Sequence, residues 1–201
     1  MNNIKYGLNS NVSTLKTVIL KNPQAAFKSQ KTIDLQWQDL NFIDKPDFKK
    51  SITQYENFID ILNDNHVEIL YISEDEKTSL DSIYTHDPIF MTPNGAVIGN
   101  MGKTQRKPET IMMKNYLNEI GIPILGEIIN DATLEGGDII WIDQRTVAAG
   151  LTYRTNNKGI DQLRKILSTI SVEVICVDLP HWNGPVDVLH LMSLISPLKD
   201  D

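Results

Sequence analysis

The chain has 201 residues, 41% hydrophobic and 22% charged, which is an ordinary composition for a globular protein with a sizeable core. Its formal net charge of -7 argues against nucleic acid or an anionic membrane as the main partner. No apolar run approaches the ~20 residues of a membrane helix, and the N-terminus lacks the apolar core of a secretory signal. The single cysteine, Cys176, allows no internal disulfide, so we expect a cytoplasmic protein. From its length, we expect residues 1–201 to form a single domain.

The first predicted elements are a strand, a helix and a second strand. Residues 15–20 (LKTVIL) are apolar and β-branched, which is typical of a strand. Residues 48–62 carry apolar side chains at three- and four-residue steps, which predicts one buried face of a helix. Residues 67–72 form the next short apolar run, a second predicted strand.

The same order of elements then returns twice, each time opened by a hairpin. Pro93-Asn94-Gly95 and Asp143-Gln144-Arg145 are the two predicted hairpin turns, and Gly121 ends the intervening helix. The predicted strand, strand, helix and strand are 89–91, 96–98, 108–120 and 122–125 in one unit, and 139–142, 146–149, 157–170 and 172–177 in the next.

Three such units in one chain indicate a repeat architecture. A unit of this kind cannot bury its own sheet face, so the units must pack around a common axis or stack in a row. The apolar residues 189–195 predict the start of a fourth unit, and no helix follows before Asp201, so we expect an incomplete array of about three and a half units. The alternative is a self-contained α/β domain that ends in an edge strand.

Polar residues cluster around the ends of these strands. Asp81 and Asp87 stand six residues apart around an apolar stretch, and they would face one cavity from the two ends of a short strand, although Asp87-Pro88 is also typical of a simple turn. Glu135 and Asp138 flank two glycines directly before an apolar strand, where glycines permit a close approach of the backbone.

Two further candidates are Arg154, whose planar fork suits a ligand carboxylate, and His190, which lies in an apolar stretch. A histidine in such a place is also typical of a satisfied core residue. The four histidines have no metal-ligand spacing and no partner cysteine pair, which predicts no metal. Gly102-Lys103-Thr104 is similar to the end of a phosphate-binding loop, but Val97 stands where that motif needs a glycine.

In this order, the clusters resemble the motifs of the guanidino-group-modifying enzymes, which include arginine deiminase, dimethylarginine dimethylaminohydrolase and amidinotransferase. The similarity covers essentially the whole chain. The matching segments are Thr85-His86-Asp87-Pro88, Glu135-Gly136-Gly137-Asp138, Arg154-Thr155-Asn156 and Leu189-His190-Leu191, together with the N-terminal strand 15–20.

The resemblance implies a five-unit α/β propeller of ββαβ modules, the pentein fold, of which close to two modules would be missing. It also implies a hydrolase of arginine or a methylated arginine that needs no cofactor. In that chemistry a cysteine thiolate attacks the guanidinium carbon, and a histidine protonates the leaving amine and then activates water.

By the same resemblance, His190 would be the general acid and base, and Glu135 would orient it. Asp87 would hold the guanidinium of the substrate, and Asp81 would be an additional guanidinium-binding acid. Arg106 and Arg154 would bind the substrate's α-carboxylate, which would select amino-acid guanidines over agmatine.

Three departures from the family pattern bear on function. His86 replaces the usual arginine or glutamate beside Asp87, which leaves the preference for the substrate side chain open. Met192 stands where deiminases have a second aspartate, which favours a site like that of an alkylguanidine hydrolase or of a less characterised relative. Cys176 lies in an apolar strand, where a cysteine behaves as an inert hydrophobe, so the nucleophile is expected to be missing. The alternatives are therefore a non-catalytic binder of arginine-like molecules and an interaction fragment whose open sheet edges pair with a partner or with a second copy.

Overall fold

A computed structural model of the protein describes residues 4–181, 184 and 189–199. Contacts between Cα atoms divide the chain into two compact units, Thr14–Thr85 and Met1–Ser13 with His86–Asp201. The prediction of one domain over residues 1–201 stays a prediction. No helix among the described residues is long and apolar enough to cross a membrane.

The unit Thr14–Thr85 contains a two-stranded parallel sheet and three helices. Strand β1 (Thr17–Leu20) pairs with β2 (Glu68–Tyr71), and helix α3 (Phe48–Asp64) precedes β2, as the sequence predicts. Two short helices, α1 (Pro23–Ala26) and α2 (Gln30–Gln36), were not predicted.

Local signals for α1 and α2 are nevertheless present in the sequence. The side chain of Asn22 accepts a hydrogen bond from the Ala25 N–H, and Ser29 caps α2 in the same manner. Their buried faces contribute to a small core made of Ala26, Phe27, Ile33, Leu40 and Leu80.

The second unit contains two sheets with the same topology. In each sheet an antiparallel hairpin is followed by a helix and a strand that pairs in parallel with the second hairpin strand. The elements are β3 (Ile89–Thr92), β4 (Gly95–Ile98), α4 (Lys107–Ile120) and β5 (Ile124–Glu127) in the first, and β6 (Ile139–Asp143), β7 (Thr146–Leu151), α5 (Asn157–Ser168) and β8 (Glu173–Asp178) in the second. Both ββαβ units predicted for this part of the chain are confirmed.

The core of this unit lies between the sheets and helix α5. Trp141 is 2% exposed and stacks on Phe90 with ring centroids 5.4 Å apart, which joins the two sheets. Leu163 and Leu167 on α5 are fully buried in the same cluster. Helix α4 ends at Gly121, whose φ of 77° is the left-handed conformation that glycine adopts without strain.

Two local predictions were wrong. The start of a fourth unit at 189–195 is not a strand, because Leu191–Ser193 form a 3-10 helix in which the Ser193 N–H donates to the carbonyl of His190. Leu80–Ile83 is also a 3-10 helix, so Asp81 and Asp87 do not stand at the two ends of a strand. Apolar runs this short fit either conformation, and tertiary contacts decide between them.

Candidate functional site

The centre of the candidate site is a contact between Glu135 and His190. Glu135 directly precedes a 3-10 turn (Gly136–Asp138) that leads into β6, and His190 directly precedes the 3-10 helix Leu191–Ser193. The Nε2 atom of His190 lies 3.0 Å from Oε2 of Glu135, and the glutamate side chain is fully buried. The structure thus brings together His190, the expected general acid and base, and Glu135, the residue expected to orient it.

The second oxygen of Glu135 is held by backbone amides. The N–H groups of Gly102 and Lys103 donate to Oε1 at 3.0 and 3.2 Å. This segment does not have the pattern of a phosphate-binding loop, and its amides bind a carboxylate of the protein itself. A Cβ at Gly102 would lie 2.7 Å from the backbone of Arg154, so glycine permits this close approach.

Arg154 also binds Glu135. Its guanidinium donates to both carboxylate oxygens, at 3.2 and 3.3 Å. Burial raises the pKa of Glu135, but the hydrogen bond from His190 and the charges of Arg154, His190 and Arg106 outweigh it and bring the pKa to about 2. Glu135 is therefore an anion at neutral pH, and this keeps its partners in place.

A second buried network surrounds Asp87. The Arg106 guanidinium donates to Oδ2 of Asp87 at 2.5 Å and to Glu109 through both Nε and NH2. Arg106 is 4% exposed and Glu109 is 0% exposed. Burial lowers the pKa of Arg106, but the two carboxylates more than reverse that shift and raise it. The motifs of the sequence do not indicate Glu109.

The expected roles of the two arginines are not tested by these contacts. Both were expected to bind a substrate carboxylate, and the structure places Arg106 on Asp87 and Glu109, and Arg154 on Glu135. Contact of either arginine with a substrate carboxylate stays a prediction.

Gly137 allows Asp87 and His190 to approach each other. A Cβ at Gly137 would lie 2.7 Å from Nδ1 of His190 and 2.8 Å from Oδ1 of Asp87, closer than real side chains come. One ligand atom each from Asp87, Glu135 and His190 lies within 4.8 Å of the others. Gly137 thus permits close packing against these two side chains, whereas a Cβ at Gly136 would meet the backbone carbonyl oxygens of His86 and Ile89.

Three such atoms could surround one cation. A metal ion fits poorly, because the carboxylate oxygens already accept hydrogen bonds from the guanidinium groups of Arg106 and Arg154, whose charges would oppose it. An organic cation that donates hydrogen bonds fits better, since it can share these oxygens. The prediction of no metal stays a prediction.

Asp138 is the fourth carboxylate of the site, and it is 0% exposed. Burial raises its pKa, although three hydrogen-bond donors and the charge of His190 oppose the shift. With all four carboxylates ionised and two arginines charged, the site carries a net charge of -2 when His190 is neutral. Such a site favours a cationic ligand.

His190 itself is surrounded by acids. Burial lowers its pKa, but the hydrogen bond to Glu135 and the charges of Asp138 and Asp87 outweigh it and raise the pKa above 6.5. A histidine whose pKa is raised from that value can both hold and release a proton near neutral pH.

Cys176 lies on the opposite face of β8 from this site. Successive residues of a strand point to opposite faces. Cys176 packs against the large core cluster with Val174, whereas Val177 packs with Leu191, the residue after His190. The position of Cys176 agrees with an inert core residue.

Asp81 and His86 are the remaining residues that the sequence motifs single out. Asp81 is 4% exposed and belongs to the unit Thr14–Thr85, so its expected contact with a guanidinium stays a prediction. His86 is exposed, with its Nε2 atom 3.2 Å from the carbonyl oxygen of Gly136.

Several known proteins are similar to this chain in sequence and in fold. The family model described as arginine deiminase matches residues 77–201. The dimethylarginine dimethylaminohydrolases of Streptomyces coelicolor and Pseudomonas aeruginosa are 26% and 29% identical over 78% and 77% of this chain, which spans 57% and 58% of their lengths. The solved structure of the Pseudomonas enzyme with citrulline matches with a TM-score of 0.70 and 26% identity, over 89% of this chain and 64% of that one.

These similarities define the class of protein, the superfamily of guanidino-group-modifying enzymes with the pentein fold. Within it, the chain belongs to the arginine deiminase family, whose model matches more than half of the 201 residues. The predicted fold class is therefore confirmed, with each of the described sheets open and not closed on itself.

Proposed function

We propose that this chain provides the cation-binding and proton-transfer part of a hydrolase that acts on the guanidino group of arginine or a methylated arginine. The observation that carries the proposal is the convergence of Asp87, Glu135 and His190 within 4.8 Å in a buried, net negative site. A guanidinium is a planar cation with several N–H donors, and it matches carboxylate acceptors in charge and shape.

The chemistry assigns a separate role to each group. Asp87 accepts hydrogen bonds from the substrate guanidinium and orients its carbon. A cysteine thiolate adds to that carbon, and His190 gives its proton to the nitrogen that leaves as ammonia or an alkylamine. His190 then takes a proton from water, whose oxygen attacks the same carbon and releases the ureido product and the thiolate. Glu135 keeps the imidazole oriented and stabilises its charged form.

In our proposal, this chain does not supply the nucleophile. Cys176 is the sole cysteine of the sequence, and it packs into the core on the face of β8 away from Leu191. On that face of β8 the thiol points away from the residue that follows His190, so it is not placed to attack a substrate held at His190. The 201 residues would then bind the substrate and be positioned for proton transfer, with the thiolate absent.

Ligand binding tests the proposal directly. Calorimetric titration with L-arginine and Nω-methyl-L-arginine should give saturable heat, and Asp87→Asn should weaken binding by about tenfold or more, since a charge-assisted contact contributes roughly 1.5 to 3 kcal/mol. Asp178→Asn changes an exposed carboxylate and is the matched control. No heat with either compound, or equal affinity in Asp87→Asn, would contradict the proposal.

A second candidate function is a binder of arginine-like molecules without catalysis. The orientation of Cys176 favours it. The binder predicts heat on titration but no citrulline from arginine on prolonged incubation. Citrulline that is released by the wild-type chain and lost in Cys176→Ser would instead identify Cys176 as the nucleophile and reject both the binder and our assignment of that thiol.

A further inference from the structure

The carboxylate of Asp138 accepts three hydrogen bonds in a fully buried place. Its Oδ2 atom accepts from the hydroxyls of Thr152 and Thr155 at 2.8 and 2.7 Å. Its Oδ1 atom accepts from the backbone N–H of Leu191 at 3.1 Å. A buried carboxylate destabilises the fold unless its oxygens accept hydrogen bonds in this way. We therefore expect Asp138 to contribute to the structure of the site or to its chemistry.

Thr155 connects Asp138 to Glu135. Its hydroxyl donates its only hydrogen to Asp138, so its lone pairs are free to accept, and the Glu135 N–H donates to it at 3.1 Å. The carboxylate of Asp138 therefore fixes which way this hydroxyl points.

Leu191 connects Asp138 to His190. The Leu191 N–H belongs to the peptide that follows the histidine, and the Leu191 side chain is 1% exposed in a cluster with Ile140, Ala148 and Leu179. One carboxylate thus holds the backbone on which His190 stands and, through Thr155, the backbone of its partner Glu135.

We infer that Asp138 is a positioning residue that keeps His190 and Glu135 at hydrogen-bond distance, although the two lie 55 residues apart. Its part in proton transfer rests on the proposed function, but its effect on the pair does not. Asp138 itself touches no reacting atom in that scheme, and it acts through the peptide of Leu191 and the hydroxyl of Thr155.

The charged groups around His190 make the effect measurable. Glu135, Asp138 and Asp87 act directly on the imidazole and raise its pKa, while Arg106 and Arg154 are bound to two of these acids. Loss of the Asp138 charge removes one of the three negative charges that raise the pKa of His190, and a shift of the Leu191 peptide weakens the contact with Glu135 as well.

The test is a titration of the His190 ring protons by nuclear magnetic resonance in the protein without ligand. Asp138→Asn should lower the pKa of His190 by roughly half a unit or more. Thr155→Val, which removes the connecting hydroxyl but keeps the Asp138 charge, should lower it too, whereas Thr155→Ser restores the hydroxyl and should titrate as the wild type does.

An unchanged His190 pKa in Asp138→Asn, or identical titrations for Thr155→Val and Thr155→Ser, would overturn the inference. If Asp138→Asn does not fold, the threonine pair decides alone. Neither result depends on a guanidino ligand or on turnover, so failure of the proposed function would leave this readout intact.

Discussion

The imidazole of His190 and the carboxylate of Glu135 meet at 3.0 Å between Nε2 and Oε2, with the glutamate fully buried and the histidine side chain 22% exposed. Each group changes the protonation of the other. The pKa of Glu135 falls to about 2, and the pKa of His190 rises above its ordinary value. The pair therefore links the stability of the protein to pH.

The first prediction concerns the pH range in which this pair stabilises the fold. Glu135 contributes above its ordinary pKa of 4.5, and the contribution is lost as pH falls towards 2. His190 contributes fully below 6.5, and its contribution is lost as pH rises through its raised pKa. The loss of melting temperature in Glu135→Gln should therefore be largest between pH 4.5 and 6.5.

Thermal unfolding followed by circular dichroism across the pH range measures this difference. Glu119→Gln, an exposed glutamate at the end of α4, is the control and should match the wild type throughout. A loss in Glu135→Gln that is the same at every pH would show that the contact with His190 carries no linkage.

The second prediction concerns Glu109, which binds the Arg106 guanidinium from the first turn of α4. Glu109→Gln removes a carboxylate partner of the buried Arg106 guanidinium, and breaking a buried pair costs about 3 to 5 kcal/mol. Arg106 would then neutralise Asp87 more completely, so arginine affinity should also fall.

Chemical denaturation and calorimetry check the two effects on Glu109→Gln separately. The exposed Glu119→Gln on the same helix should change neither quantity. A variant that loses stability but binds arginine as the wild type does would restrict Glu109 to a structural role.

The third prediction concerns the close approach at Gly137. Gly137→Ala adds a methyl group 2.7 Å from the ring of His190 and 2.8 Å from Asp87, so one of the two must move. We expect arginine affinity to fall by about tenfold or more, which corresponds to roughly 1.4 kcal/mol of lost contact.

Gly121→Ala separates that effect from a general loss of stability. An added Cβ there has nothing within 4 Å, but the φ of 77° strains an alanine, so stability should fall by about 1 kcal/mol with binding unchanged. Equal affinities of Gly137→Ala and the wild type in calorimetry would show that the site tolerates the methyl group.

The fourth prediction concerns Cys176. Because its side chain packs on the core cluster, Cys176→Ala should cost about 1 kcal/mol in unfolding and leave arginine affinity unchanged. Denaturant unfolding and calorimetry measure the two quantities. Lost binding with unchanged stability would place the thiol in the site and contradict the assignment of Cys176 to the face of β8 that packs on the core.

Part of the site could be predicted because its motifs are local. Glu135-Gly136-Gly137-Asp138 carries two acids and two small residues in four positions, and both acids and Gly137 line the site. The hairpins and helices of the two ββαβ units were also predictable, since alternating and three-to-four residue apolar spacing depends on neighbours in the chain.

Glu109 and the amides of Gly102 and Lys103 could not be predicted. A glutamate three residues after an arginine is typical of an exposed helix pair, and only the packing of α4 buries it. The backbone amides carry no sequence signature, because every residue except proline has one.

The sequence by itself determined the order of strands and helices in the two ββαβ units, the family motifs and an acidic balance suited to a cationic ligand. The tertiary structure decided which charges meet. It placed Arg106 and Arg154 on carboxylates of the protein, turned Cys176 towards the core and set Asp138 between Glu135 and His190. Periodicity is a property of neighbouring residues, whereas the partner of a buried charge is fixed by segments distant in the chain that fold against it.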